Sequence, residues 1–177
     1  HITETGINEM SYQQEPNQLI WCVREDGRLV CLTYQREQQV VAWHKHIFGG
    51  AFGTGIAVCE SIATIPTNDK EYQTWVVVKR TINGVTRRYV EYLNEFDFDE
   101  TDNTEFNFLD SQLAYSGSAT TTISGLEHLE GQTVSVLANG ATHPDRTVSG
   151  GSITLARSST KVKVGLKYTS LLQTMRL

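Results

Sequence analysis

The sequence predicts an all-β protein, and three observations lead to that prediction. β-branched and aromatic residues lie on both sides of short turn pairs such as Asp26-Gly27 and Asn83-Gly84. No extended stretch places its apolar residues at the 3.6-residue period of an amphipathic helix. The 177 residues are 39% hydrophobic and 20% charged, which is the composition of a chain that folds. We therefore expect antiparallel sheets joined by short turns.

The first half of the chain predicts two successive meanders. The predicted elements are a hairpin over 19–34, a strand over 39–46, a candidate fourth strand over 56–65 and a second hairpin over 72–93. In the second hairpin, a two-residue turn at Asn83-Gly84 places Trp75 opposite Tyr92. Meanders of about four short strands that recur at about 40 residues are typical of β-propeller blades. Residues 1–108 are thus predicted to form a propeller-like region of about two blades.

The second half of the chain changes in composition to Thr, Ser, Gly and Val, with closely spaced turn pairs. Short, roughly alternating strands are predicted over 133–137, 146–148, 152–155 and 161–164. His143-Pro144 is placed between strands, because proline cannot donate to a sheet ladder. Residues 109–177 are therefore predicted to form a small β-barrel or sandwich module.

Charge is distributed unevenly along the chain, although the formal net charge is only −5. The span 91–110 contains eight carboxylates and no Lys or Arg. We interpret it as an acidic linker between two modules, and such a segment repels nucleic acid, which argues against a conventional nucleic-acid reader. No apolar run approaches the roughly 20 residues of a membrane-spanning helix. Because the sequence begins with His1 and not with Met, we expect it to be a fragment of a longer protein.

The three cysteines predict reduced thiols. Cys22, Cys31 and Cys59 form no CxxC pair and are too few for a disulfide scaffold or a zinc site. A two-residue turn at Asp26-Gly27 would place Cys22 opposite Cys31 at a non-hydrogen-bonded position, where side chains lie closest. A disulfide between these two residues is therefore the alternative interpretation.

Two short motifs are candidates for metal binding. His44 and His46 share one face of a strand, a spacing that can ligate a metal, but no third ligand follows at a recognisable distance. The run Asp97–Asp102 resembles a calcium loop, yet it lacks the central Gly and the distal Glu of an EF-hand. We prefer packing or surface exposure for the histidines and a solvated linker for the acidic run. The sequence thus predicts neither a metal nor a cofactor.

Four basic residues near the tip of the second hairpin form the candidate partner-contact site. Lys79 and Arg80 lie on one strand, and Arg87 and Arg88 lie on the strand that faces it. Such a cluster contacts phosphate or an acidic protein surface. The alternative is a solvated hairpin end, where exposed like charges cost little.

No catalytic constellation is recognisable in the sequence. There is no Gly-x-Ser-x-Gly elbow and no Cys paired with a suitable His. The Gly-rich segment 49–55 precedes a strand and lacks the Lys of a phosphate-binding loop. We therefore predict that the chain is not an enzyme. A cell-wall hydrolase that uses two carboxylates stays open as an alternative, because its geometry is a distance in the fold.

Several longer motifs resemble a recurrent block of phage tail proteins. They are Met10–Pro16, Trp21–Gly27, Leu32–Tyr34, Val41–His46, Lys79–Glu91, Thr121–Gly131, Leu137–Gly151 and Val164–Thr169. By these residues the chain is similar to the tail nozzle, or tail tubular protein B-like, components of short-tailed bacteriophages and prophages. Its C-terminal half also resembles, in fold only, the small β-barrel insert of ubiquitin-activating enzymes.

The resemblance implies a structural protein of the virion. Nozzle proteins of this kind are β-rich, contain a propeller and form rings around the channel through which the genome is ejected. The implied partners are other tail proteins, further copies of the chain and, transiently and without sequence preference, DNA. An acidic channel wall would let DNA slide without sticking. The implied location is the virion tail, assembled in the cytoplasm of the host bacterium.

A second function is compatible with the same sequence. A recognition module would bind a host-surface glycan or protein through its loops and exposed rings. The candidate residues are the loop 49–55 and the aromatic residues Trp43, Trp75 and Tyr92.

Overall fold

The computed structural model describes residues 2–68, 71–94 and 100–171, and these fold as antiparallel sheets with one short 3-10 helix. The predicted all-β class is confirmed, since no α-helix occurs in these ranges. None of the described residues belongs to a helix long and apolar enough to cross a membrane. The strands are β1 (Ile7–Gln13), β2 (Leu19–Arg24), β3 (Leu29–Gln35), β4 (Val40–His46), β5 (Ala51–Phe52), β6 (Gly55–Ile56), β7 (Val58–Pro66), β8 (Tyr72–Ile82), β9 (Val85–Tyr92), β10 (Asp110–Ser124), β11 (Thr133–Ala138), β12 (Ala141–Thr147) and β13 (Ser152–Leu166), and the 3-10 helix is Glu127–Leu129.

The first sheet is a four-stranded antiparallel meander, β1 to β4 in chain order. Its last three strands agree with the predicted strands over 19–46. The prediction missed β1, whose polar side chains alternate with only a few apolar ones. The candidate strand over 56–65 does not complete this sheet, because β7 pairs with β8 instead. The predicted first meander was therefore wrong in one strand: it included the strand over 56–65 in place of β1.

The turn between β2 and β3 is longer than predicted. The Gly27 N–H donates to the Arg24 carbonyl, and the Arg24 N–H donates to the Arg28 carbonyl, both at 2.9 Å. Gly27 has a φ of +77°. A three-residue loop that ends on a left-handed glycine is a bulged hairpin, not a two-residue turn.

The bulge shifts the strand register by one residue and separates two cysteines. Cys31 pairs with Trp21, and Cys22 pairs with Val30. Because neighbouring residues of a strand point to opposite faces, Cys22 and Cys31 lie on opposite sides of the sheet. Both are buried and free, so the predicted facing pair and the disulfide alternative are wrong.

The second sheet contains β7, β8 and β9. Its hairpin has the predicted two-residue turn, with Asn83 and Gly84 at φ of +49° and +74°, which is the combination that a type I′ turn requires. Trp75 pairs with Tyr92 as predicted. Their ring centroids lie 5.3 Å apart, within the range of a favourable aromatic contact.

The first and second sheets pack through their inner faces to form one hydrophobic core. Its buried members are Trp21, Val23, Leu29, Cys31, Phe48, Ala57, Cys59, Ile62, Val76 and Val78. Polar contacts join β1 to the free edge of β7: the Ser11 hydroxyl donates to Thr64 Oγ1 at 2.7 Å, and the Glu9 carboxylate accepts the Ile62 N–H at 3.1 Å. Each fully buried aliphatic side chain stabilises such a core by roughly 1.5–3 kcal/mol.

Substitution of Gly27 by Ala is expected to destabilise this core region by about 2 kcal/mol. The left-handed φ strains any residue with a Cβ, and a Cβ at this position would lie 2.6 Å from Cγ1 of Val58. Gly53→Ala is the matched control, because Gly53 has a φ of +58° but no atom within 4 Å of the added Cβ. Urea denaturation should show Gly27→Ala to be clearly less stable than Gly53→Ala. Equal stabilities would contradict the steric part of the argument.

The third sheet has the strand order β10-β13-β11-β12. Its 15-residue strand β10 was not predicted, because Ser, Thr and Gly obscure the apolar alternation. The two strands predicted over 152–155 and 161–164 are parts of the single strand β13. Register shifts of the β10–β13 pair occur between Ser116 and Thr120 and between Thr120 and Thr122, so both long strands are interrupted midway.

The segment His143-Pro144 lies inside β12, contrary to the prediction that placed it between strands. β12 stands at the end of the sheet, and its register shifts between His143 and Arg146. Pro144 therefore sits at an irregularity of an edge strand, where no ladder donor is required.

The ladders leave the third sheet open, and side chains connect its edge strand to the start of β13. The Ala156 N–H donates to Nε2 of the buried His143 at 2.8 Å, and Arg146 Nε donates to the Thr154 carbonyl at 2.8 Å.

A second hydrophobic core lies beneath the third sheet. Its buried members are Ile123, Leu126, Leu129, Val134, Val136, Ala138, Val148, Ile153, Leu155, Val162, Val164 and Leu166. The two cores share no residue.

Candidate partner-contact surfaces

The β8–β9 hairpin separates the four predicted partner-contact residues onto two faces. Lys79 pairs with Arg88, and Arg80 pairs with Arg87. Because successive strand residues alternate, Lys79 and Arg88 point away from the core, whereas Arg80 and Arg87 point to the core side. The four cations therefore do not form one cluster.

Lys79 and Arg88 share one carboxylate on the outer side of the hairpin. Glu60 lies 2.7 Å from Lys79 Nζ and 2.6 Å from Arg88 Nε. The hydrogen bonds that Arg88 and, to a smaller extent, Lys79 donate to Glu60 lower the pKa of its carboxyl group. Lys79 also lies over the Phe52 ring, 4.4 Å from its centroid. This trio carries a net charge of about +1 and is accessible mainly through Arg88.

Arg80 is fully buried and cannot contact a partner. Its Nε donates to the Gly49 carbonyl at 2.8 Å, and its two terminal nitrogens donate to the Glu91 carboxylate at 2.5 and 3.0 Å. The Ser111 hydroxyl donates to the same carboxylate at 2.8 Å. Since Ser111 belongs to β10, this bidentate ion pair anchors the hairpin to the third sheet. Its role is structural.

A second contact at the same junction involves Asp110. Its Oδ2 accepts the Gly49 N–H at 2.6 Å, and burial raises the pKa of this carboxyl group. The Tyr89 hydroxyl donates to the His128 carbonyl at 3.0 Å. Hydrogen bonds thus join the third sheet both to the hairpin and to the segment at Gly49.

Among the four predicted partner-contact residues, Arg87 is the one that makes no hydrogen bond or ion pair within the described residues. It is exposed and borders a cleft of about 330 Å³ between the hairpin tip and the third sheet. The cleft is lined by Ile82, Asn83, Val85, Arg87, Glu127, Glu130, Gly150 and Gly151. Glu130 already accepts the N–H groups of Gly150 and Gly151, at 3.0 and 2.7 Å. Of the four predicted contact residues, Arg87 and Arg88 are therefore the two that are exposed at the tip.

His44 and His46 pack against Trp21 on the inner face of the first sheet. Nδ1 of His44 lies 2.8 Å from Nε2 of His46, and the Trp21 ring lies 6.0 and 5.2 Å from their ring centroids. Burial lowers the pKa of both groups, to about 4 for His46. Among the described residues, no group of three or more His, Cys, Asp or Glu is arranged to hold a metal.

The candidate calcium run Asp97–Asp102 lies partly outside the described residues. Its described end contacts the third sheet through Lys161, whose ammonium group lies 3.4 Å from Asp102 Oδ2, 3.1 Å from Thr104 Oγ1 and 2.5 Å from Glu105 Oε1. These three oxygen atoms surround the Lys161 ammonium group in the way that they would otherwise surround a metal ion. The described part of the acidic linker is therefore docked and partly neutralised, not solvated throughout.

The predicted recognition loop is anchored by its first two glycines. A Cβ on Gly49 would lie 2.8 Å from the Lys167 carbonyl, and one on Gly50 would lie 3.1 Å from Arg80 and from Leu166. The β5–β6 hairpin that follows contacts β8, since the Gly53 N–H donates to Thr81 Oγ1 at 2.9 Å. Trp43, Trp75 and Tyr92 lie on sheet faces, away from this loop.

Exposed apolar faces are the main feature that sequence reasoning missed. The first outer face consists of Met10, Tyr12, Ile20, Leu32, Tyr34, Val41 and Trp43. The second outer face consists of Ala63, Ile65, Trp75, Val77, Val90 and Tyr92. Val41 is 63% exposed and Val90 is 70% exposed. Continuous apolar strands such as Leu19–Val23 already indicated sheets that are covered on both sides.

Comparison with known proteins assigns no family to the chain, since no family model and no curated protein gives a significant match.

Proposed function

We propose that this chain is a non-enzymatic structural segment of a tail protein of a short-tailed bacteriophage, nozzle-like or tube-like. It acts by folding and by assembling into the virion tail, where it helps to form the channel for DNA ejection. The motif resemblance supports this assignment. The structural observation that supports it best is the pair of outer faces, which expose large apolar side chains on both sheets of one sandwich.

In the proposed assembly, other protein surfaces cover these apolar faces. The sandwich offers two broad faces, and hydrogen bonds join its β8–β9 hairpin to the third sheet. In the proposed architecture each sheet of the sandwich is a blade-like unit of a propeller. The third sheet, with side chains bridging its open edges, is the small barrel-like module beside it.

The proposed partners are other tail proteins and further copies of the chain. The acidic residues of the linker and the net charge of −5 favour passage of DNA without binding. Arg87 and Arg88 at the hairpin tip would contact an acidic neighbour in the tail.

The solution mass of the complete protein tests this proposal. Light scattering after gel filtration should give a ring-sized oligomer, either for the protein alone or after addition of a purified tail neighbour. A monomer that binds no tail protein under any of these conditions would refute the assignment.

Recognition of a host glycan is the second candidate, and the exposed rings favour it. Trp43 is 40% exposed, and Trp75 with Tyr92 forms a ring pair on the second outer face. Aromatic rings of this kind stack on sugar rings. Titration with host-surface glycans should then show binding that Trp43→Ala or Tyr92→Ala weakens, without any change in the mass of the protein.

A further inference from the structure

The acidic segment that precedes β10 covers part of the third sheet. Residues 100–109, here called the strap, have no regular secondary structure beyond one turn, in which the Glu105 N–H donates to the Asp102 carbonyl at 2.9 Å. We propose that the strap is releasable and that the surface beneath it binds an extended acidic segment of a partner protein that carries aromatic side chains. This inference goes beyond the proposed function and does not depend on it.

The strap runs in the same direction as β13, over the side of that strand which faces away from the core. Oε1 of Glu105 lies 2.5 Å from Lys161 Nζ, and its Oε2 lies 3.6 Å from Lys163 Nζ. Farther along, a Cβ added to Gly165 would lie 2.8 Å from Cβ of Leu109, so the strap passes directly over this glycine. Residues 161, 163 and 165 alternate with the core valines of β13 and therefore share one face. The strap thus covers a row of two lysines and a glycine.

Side chains hold the strap on this surface. Among the described residues, no backbone hydrogen bond joins the strap to β11, β12 or β13. The side chains of Glu105 and Lys161 are 44% and 38% exposed, and ion pairs at such positions contribute little to stability. The second hydrophobic core includes no residue of the strap among its buried members. The strap can therefore lift without breaking a sheet ladder or opening that core.

The strap itself shows which chemistry this surface accepts. Its carboxylates lie against the lysines of β13, and its two rings, Phe106 and Phe108, have centroids 5.3 Å apart. Between these rings and the apolar side chains of Val136 and Leu137 remains a cavity of about 180 Å³. Well-packed contacts leave few voids of this size, so the strap fills the surface incompletely. A partner segment with a carboxylate for the lysines and bulkier apolar side chains for the cavity would fit the surface better than the strap does.

A peptide-binding experiment on the full chain tests the proposal. The probe is a fluorophore-labelled peptide with the sequence of residues 100–109. In the wild type, the tethered strap competes with the peptide at an effective concentration of roughly millimolar, so the peptide should bind poorly. The variant Phe106→Ala/Phe108→Ala weakens the strap but leaves the surface beneath it unchanged, so its apparent Kd for the peptide should be at least about tenfold lower. Fluorescence anisotropy measures both affinities, and circular dichroism checks the fold of the variant.

Charge reversal separates binding at this surface from non-specific attraction. In the variant with both Phe substitutions, the further change Lys161→Glu should raise the Kd of the peptide at least about tenfold, because two carboxylates then face each other. A peptide that carries Glu105→Lys should restore the binding. Lys167→Glu is the matched control, since Lys167 pairs with Asp145 of β12, and it should leave the affinity nearly unchanged.

The proposal is overturned if the variant with both Phe substitutions binds the peptide no better than the wild type, or if Lys161→Glu does not weaken that binding. A wild-type dimer that these Phe substitutions dissociate would also overturn it, because the strap would then be exchanged between two copies. Hydrogen exchange of the wild type gives a test that needs no variant. The amides of residues 106–109 should be clearly less protected than those of β11 and β13, and equal protection would mean that the strap does not lift.

Discussion

Replacing Arg80 with Met is expected to lower the free energy of unfolding by about 3–5 kcal/mol, the usual cost of removing one partner of a buried ion pair. The substitution leaves the Glu91 carboxylate, which is only 17% exposed, without its bidentate donor. It also removes the donor of the Gly49 carbonyl. Because this ion pair joins the hairpin to β10 through Ser111, the loss should loosen the junction with the third sheet as well.

Urea denaturation followed by two probes would measure this effect. All three tryptophans lie in the first two sheets, so their fluorescence reports on the sandwich, whereas circular dichroism reports on every strand. The double variant Arg80→Met/Glu91→Leu should recover much of the lost stability, because no buried charge is left unpaired. Arg88→Met is the control, since its guanidinium pairs with Glu60 at an exposed position. A small effect of Arg80→Met, equal to that of Arg88→Met, would contradict the anchoring role.

The two hairpins of the sandwich show what the sequence could and could not predict. At Asn83-Gly84 both central residues tolerate a positive φ, so a two-residue turn and its register followed directly from the dipeptide. At Asp26-Gly27 the same kind of dipeptide forms the end of a three-residue loop. There, Arg24 hydrogen-bonds to Asp26 Oδ2 at 2.9 Å, a contact that the dipeptide alone does not reveal. One extra residue in the turn moved Cys31 to the other face.

For the candidate site, the sequence could predict only those features that depend on residues close together along the chain. The sequence placed Lys79, Arg80, Arg87 and Arg88 near one tip, and the structure confirms that neighbourhood. Their different environments depend on Glu60, Glu91 and Ser111, which are far away along the chain or on other strands. Alternation along the strand would have shown that only two of the four share the outer side. It could not have shown that Arg80 is buried against the third sheet.

Acidification from pH 7 to pH 5 is expected to destabilise the sandwich by about 2 kcal/mol through His46. Burial lowers the pKa of His46 to about 4 in the folded protein, whereas the unfolded chain has the ordinary value of 6.5. Between these values the unfolded state binds more protons, so stability falls as the pH falls through 6.5 and continues to fall to about pH 4. The full loss is about 3 kcal/mol, since each pKa unit corresponds to 1.36 kcal/mol.

The pH slope of the variant His46→Phe isolates this contribution. Phe keeps an aromatic ring beside Trp21 but does not titrate, so the free energy of unfolding should depend less on pH between 7 and 5 than it does in the wild type. Carboxyl groups with a lowered pKa, such as Glu60 and Asp145, lose their contribution at lower pH. The raised pKa of Asp110 acts in the opposite direction, but it is present in both proteins and cancels in the difference. Parallel pH profiles for the two proteins would mean that His46 can be protonated in the fold without cost, and that the half-buried imidazole pair does not limit acid stability.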